Sequence, residues 1–247
     1  MRVYLARWVC ESVESNVAHL IELSAFAAGA GAELVVFPES FLHGYTRSVE
    51  PRRVRALFAE ISARHAAPAF VFGSFSEGGA NRMTVWQEGR QLAAYDKVHL
   101  FAPNGEHDLW QPGNRYVAVK VLGRTLGLLN CNDLRFPEQA RALRLRARCD
   151  LFVVVGWWPW RRDHVWQTLL QARAIENGVW VVGCCVAASE FAGERFAGAG
   201  NYVFDPHGEP VRTSDDVLYE LDFGGVLPLL VDPVADAREI GEVIVFE

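Results

Sequence analysis

The chain has 247 residues, 51% hydrophobic and 22% charged, with a net charge of -6 at pH 7. That apolar content fills one large core, while the acidic balance runs against a nucleic-acid role, which needs a concentrated basic surface. No apolar run approaches the roughly 20 residues that span a bilayer, and the start, MRVYLARWVC, carries charge too early for a secretory signal. The expectation is a soluble, cytoplasmic protein without membrane association. Five cysteines, Cys10, Cys131, Cys149, Cys184 and Cys185, form no CxxC pair and no His/Cys cluster with zinc-ligand spacing. Reduced thiols and no metal follow from that pattern.

In chain order, β-rich runs alternate with helical patterns. Strands are predicted over Val3–Trp8, Leu34–Phe37, Phe70–Phe75, Met83–Gln87, Gln91–Asp96, Val117–Val121 and Thr125–Cys131. Further strands are predicted over Leu151–Val155, Trp180–Cys185, Tyr202–Phe204, Val211–Thr213 and Leu218–Leu221. Helices fit Val13–Ala28, Pro51–His65, Pro137–Arg148 and Arg162–Asn177, the last stopped by Gly178 as a C-terminal cap. Turn signals at Glu88–Gly89, Gly123–Arg124 and Asp205–Gly208 predict hairpins between their flanking strands. No linker-like stretch divides the series, so residues 1–247 read as a single domain with layered α/β packing. The basic run Arg135–Arg148 lies in one predicted helix and reads as a solvated face or a subunit contact.

Three segments at strand ends carry the chemistry. VVFPES (Val35–Ser40) puts Glu39 just past a β-rich run, and YDKVHLF (Tyr95–Phe101) carries Lys97. GLLNCNDLRFPE (Gly127–Glu138) ends an apolar run in Cys131, follows it with Asn132 and Asp133, and then opens a helix at Pro137. The carboxyl end of a buried strand is where open α/β sheets do their chemistry. A carboxylate, an ammonium and a thiol brought together are a base, an electrostatic partner and a nucleophile. Taken singly, Cys131 reads as a small buried hydrophobe, Glu39 as a loop carboxylate or helix cap, and Lys97 as a surface lysine.

Together, in this order and with the WP and ARAIEN segments downstream, these motifs resemble the nitrilase, or carbon-nitrogen hydrolase, superfamily over nearly the whole chain. The resemblance implies a four-layer α-β-β-α sandwich, catalytic Glu39, Lys97 and Cys131, and hydrolysis through a cysteine thioester without metal or organic cofactor. It also implies that Glu106, in NGEHDLWQPGN, supports the site by positioning substrate and Lys97, and that a backbone N–H near Asn132 faces the oxyanion. His99 orients its loop, and Arg173 and Glu176 of ARAIEN, three apart on one helix face, form a structural ion pair. A homodimer or higher homo-oligomer is implied as the assembly.

Trp157–Gly183 most resembles the omega-amidase-like branch, which hydrolyses the terminal carboxamide of small dicarboxylate monoamides. That branch usually has Tyr after the nucleophile, Asn before WP, an Asn-Arg pair after the Val-Gly-Cys-like strand and Ser before the late DP turn. Here those positions hold Asn132, Trp157, Cys185 with Val186, and Asn201. The pocket residues are therefore expected to include Asn132, Trp157, Cys185 and Val186, with the branch's carboxylate-binding arginine replaced by Val186. The tail, IGEVIVFE, reads as short for that branch, which bears on the assembly. The alternatives are an amidase acting on a deaminated peptide amide or an N-carbamoyl substrate, a true nitrilase, and a non-catalytic binding or scaffold homologue.

Overall fold

The computed structural model describes residues 1–45, 48–191, 194–229 and 231–237, the side chains of residues 190–195 excepted. In chain order its elements begin with β1 (Arg2–Leu5), β2 (Trp8–Cys10), α1 (Val13–Gly29), β3 (Leu34–Val36) and α2 (Pro51–Arg64). There follow β4 (Ala69–Glu77), β5 (Ala80–Gln87), β6 (Arg90–Asp96), α3 (Glu106–Leu109), β7 (Ala118–Val121), β8 (Arg124–Asn130) and α4 (Pro137–Ala147). The remainder is β9 (Leu151–Gly156), α5 (Asp163–Asn177), β10 (Trp180–Phe191), β11 (Glu194–Ala197), β12 (Tyr202–Phe204) and β13 (Leu218–Glu220).

The strands form two sheets, β13-β1-β3-β4-β5-β6 and β11-β10-β9-β8-β7, with β12 and β2 also paired to β10. Period-2 alternation decides which way each side chain faces. Val3, Leu5, Leu34 and Val36 of the first sheet pack with Leu126, Leu128, Val153 and Val155 of the second, forming the layer between the sheets. Their neighbours Tyr4 and Val35 turn outward to Leu20, Ala27 and Phe58 of α1 and α2. Leu129, Phe152 and Val154 likewise turn outward to Leu143 of α4 and Trp166 and Leu170 of α5. This is the four-layer α-β-β-α sandwich.

Local chemistry sets the helix boundaries. Ser12 caps α1 by accepting from the Ser15 N–H, and Glu50 caps α2 by accepting from the Arg52 and Arg53 N–H groups, with Pro51 in the first turn. Gly178 closes α5 in the left-handed region at φ 58°. The hairpins at Glu88–Gly89 and at Leu122–Gly123 place both turn residues at positive φ, as tight antiparallel turns require.

Some expectations change. Val3–Trp8 is not one strand: β1 joins the first sheet, whereas β2 runs parallel to β10 in the second, so the chain crosses between sheets at an exposed Arg7. Val211–Thr213 forms no strand; Pro210 bridges Phe204 and Val211 bonds Val203, after which the Asp215 carboxylate gathers the local N–H groups into a loop. The basic run is only partly solvated, since Arg141 and Arg144 donate to the Glu176 and Cys149 carbonyls. The expectation about the IGEVIVFE tail lies outside the described residues.

One close approach explains a glycine. A Cβ on Gly73 of β4 would lie 1.7 Å from the Pro38 carbonyl oxygen, so the strand admits the Pro38–Glu39 turn only because residue 73 has no side chain. Gly73→Ala is expected to destabilise the fold by about 3 kcal/mol or more. Urea denaturation of the variant beside the parent checks this, and an unchanged midpoint would contradict it.

Candidate active site

Each of the three segments delivers its residue just beyond a strand end, Glu39 and Cys131 in turns. After β3, Pro38 leads into a tight turn in which Ser40 has φ 49° and its N–H is held by Ser74 Oγ at 3.0 Å. Lys97 follows β6 directly, with its N–H bonded to the Asn81 carbonyl. Cys131 is not the last strand residue but the first of a 3₁₀ turn, Cys131–Arg135, at φ 51°. That conformation is costly for a residue with a side chain, and the surroundings over-determine it. Asp133 accepts from the Asn130 N–H, from Tyr95 Oη at 2.6 Å and from the His99 N–H, and Asn132 Nδ2 donates to the His99 and Leu100 carbonyls. On the other flank, Arg173 of α5 donates to the Leu134 carbonyl at 2.7 Å while pairing with Glu176 at 3.0 Å. His99 thus braces the loop through Asp133.

The side chains converge. Lys97 Nζ donates to Glu39 Oε1 at 2.7 Å and to Glu106 Oε1 at 2.8 Å, and all three residues are buried. Asn81 Nδ2 also donates to Glu39 Oε1, at 3.0 Å. Glu106 is held further by Tyr45 Oη and by the Phe101 N–H. Glu39 Oε2, by contrast, is buried with no hydrogen-bond partner. Cys131, 7% exposed, opens with Glu106 onto a cavity of about 110 Å³.

Burial penalises the Lys97 ammonium, but the Glu39 and Glu106 carboxylates outweigh it and hold the lysine charged, its pKa above the ordinary range. Burial, countered by Lys97, raises the Glu106 carboxyl. The Cys131 thiol is pushed well above its ordinary value by burial and then by the Glu39 charge, with Lys97 and the Trp157 backbone N–H pulling the other way. At rest the site therefore holds a neutral thiol, an ammonium, and one carboxylate oxygen free to accept a proton. That set suits base-assisted nucleophilic attack on a carbonyl carbon.

The carbon-nitrogen hydrolase family profile matches residues 2–217. The chain belongs to the carbon-nitrogen hydrolase family. It is 33% identical over 192 residues to the omega-amidase YafV of Escherichia coli (strain K12), covering 75% of this chain and 73% of that protein. It is also 33% identical over 195 residues to the deaminated glutathione amidase of Synechocystis sp., covering 69% and 71%. Among solved structures, an amidase from Nesterenkonia sp. AN1, with the acetamide moiety of fluoroacetamide covalently added at its active-site cysteine, superposes with TM-score 0.83 at 26% identity, covering 96% of this chain and 94% of that one. Hydrolysis of a carbon–nitrogen bond by an active-site cysteine is the chemistry of this family member.

The carbon-nitrogen hydrolase site departs from the sequence reading at its walls. Asn132 and Trp157 line the cavity over Cys131, and Trp157 stands edge-on to Tyr45 and tilted against Phe196. Cys185 and Val186 do not line it. Val186 is fully buried in the apolar cluster that includes Trp8 and Trp157. Cys185 Sγ accepts from the Trp158 N–H, and the residue lines a separate cavity of about 400 Å³ beside Asn201 and Tyr202. Burial pushes its thiol up to about 12, and among the described residues its sulfur bonds the Trp158 backbone. Asn201 accepts from the Cys185 N–H and donates to the Leu5 carbonyl, tying the two sheets together. Sequence reasoning missed Tyr45, Asn81, Arg135 and Arg162. Only Arg135, in the nucleophile turn itself, carried a local signal.

Proposed function

We propose that Glu39, Lys97 and Cys131 hydrolyse the terminal carboxamide of a small dicarboxylate monoamide, with Glu106 in support. The observation that carries this reading is the partnerless buried oxygen of Glu39 in a site whose Lys97 is fixed and charged. Glu39 Oε2 takes the Cys131 proton as sulfur attacks the amide carbon. Lys97 has three N–H donors, of which two are spent on Glu39 and Glu106, and the third stabilises the oxyanion with a backbone N–H after Cys131. Glu39 returns its proton to nitrogen and ammonia leaves, giving the thioester. Glu39 then deprotonates water, which cleaves the thioester to the acid and restores the thiol.

A cavity of about 110 Å³ is well below the roughly 300–1,000 Å³ of drug-sized sites, which favours a short acyl chain over a peptide-like one. The relatives named omega-amidase support the same class. The exposed Trp160 and Ile175, just before and on α5, support a homodimer through that helix, and we assign the enzyme to the cytoplasm. The experiment is ammonia release from succinamate, glutaramate, their 2-oxo analogues, N-carbamoyl amino acids and aliphatic amides, beside Cys131→Ala. Turnover of the monoamides that disappears in the variant is expected. Silence on every substrate, with Cys131 inert to thiol reagents, would leave a non-catalytic homologue.

A further inference from the structure

The cavity over Cys131 has a cationic side that the proposed mechanism does not use. Arg135, Arg161 and Arg162 all line it. The Arg135 guanidinium sits 4.4 Å over the Trp158 ring, and that of Arg162 lies 5.6 Å from the Phe101 ring. Among the described residues none of the three makes an ion pair. The acid lining the cavity, Glu106, has both oxygens engaged, and Arg162 Nε is buried without a partner. Burial, and next the Arg162 charge, lower the Arg135 pKa, so the two guanidinium groups lie within electrostatic reach of each other. Two like charges held together on aromatic faces, in a half-buried mouth without a counterion, form a receptor for an anion. A planar fork of donors matches a carboxylate in bidentate geometry. Tyr45, Trp157 and Phe196 wall the same small cavity of about 110 Å³.

We propose that Arg162, with Arg135 beside it, binds a carboxylate at the far end of the substrate and so selects short monoamides bearing that charge over neutral amides. This rests on the hydrolase reading of Cys131 and supplies the cation that the buried Val186 does not.

The test compares kcat/KM for succinamate with kcat/KM for butyramide, in which a methyl replaces the carboxylate. The parent enzyme is expected to prefer succinamate at least a hundredfold, with the preference shrinking as ionic strength rises. Arg162→Gln and Arg135→Gln should each reduce that ratio at least tenfold, mainly through KM for succinamate, with Arg162→Lys between. Equal kcat/KM for the two amides in the parent overturns the proposal without any variant and leaves the hydrolase reading intact. A proportional loss on both substrates in Arg162→Gln overturns it as well, since that marks a structural role. Silence on both amides overturns the hydrolase reading and this inference with it.

Discussion

Glu39→Gln is expected to lower kcat for amide hydrolysis by about a hundredfold to ten-thousandfold, the usual worth of a positioned general base. The substitution is nearly isosteric. The amide oxygen still accepts from Lys97 and Asn81 at the Oε1 position, so the site keeps its shape. What disappears is the free, proton-accepting Oε2. The thiol responds in the opposite sense. After burial, the Glu39 charge is the largest cause raising the Cys131 pKa, and its removal leaves Lys97 less opposed, so the thiol becomes more acidic. Iodoacetamide labelling of Cys131 should therefore persist in the variant, with the midpoint of its rate-against-pH curve moved down. Turnover within tenfold of the parent would remove Glu39 from the role of base.

Lys97→Met is expected to have the larger effect on the fold. Lys97 links two buried carboxyl groups through single bonds of 2.7 and 2.8 Å, and methionine fills similar space without charge. Removing one member of a buried ionic cluster leaves uncompensated charge, which costs about 3–5 kcal/mol. The cost depends on pH with a definite sign. Without the ammonium, the pKa of Glu106, already raised by burial, rises further above its unfolded value, so the folded state binds more protons than the unfolded state. Stability then falls as pH rises above the ordinary carboxylate range near 4. The deficit of Lys97→Met against the parent should be widest at neutral pH and narrow toward pH 4–5, as chemical denaturation at several pH values would reveal. Loss of the oxyanion donor should also cost about a hundredfold to a thousandfold in kcat. A deficit that is the same at pH 5 and pH 8 would show that Lys97 does not hold the carboxyl groups.

Local sequence carried the parts of this protein that local physics controls. Alternation marked most of the strands, helical patterning marked α1, prolines the starts of α2 and α4 and Gly178 the end of α5, and the strand-end positions of Glu39, Lys97 and Cys131 were visible in three short motifs. The tertiary structure decided the rest. It split Val3–Trp8 between two sheets, moved Cys131 from the strand into a left-handed turn, and withdrew Cys185 and Val186 from the cavity wall. It also brought Tyr45, Asn81 and Arg162 to the site. Period and turn type act over a few residues, whereas Lys97 and Glu39 are separated by 58 positions and Tyr45 and Glu106 by 61. Contacts at that range depend on strand order and on how the two sheets seat against each other, which no short segment encodes.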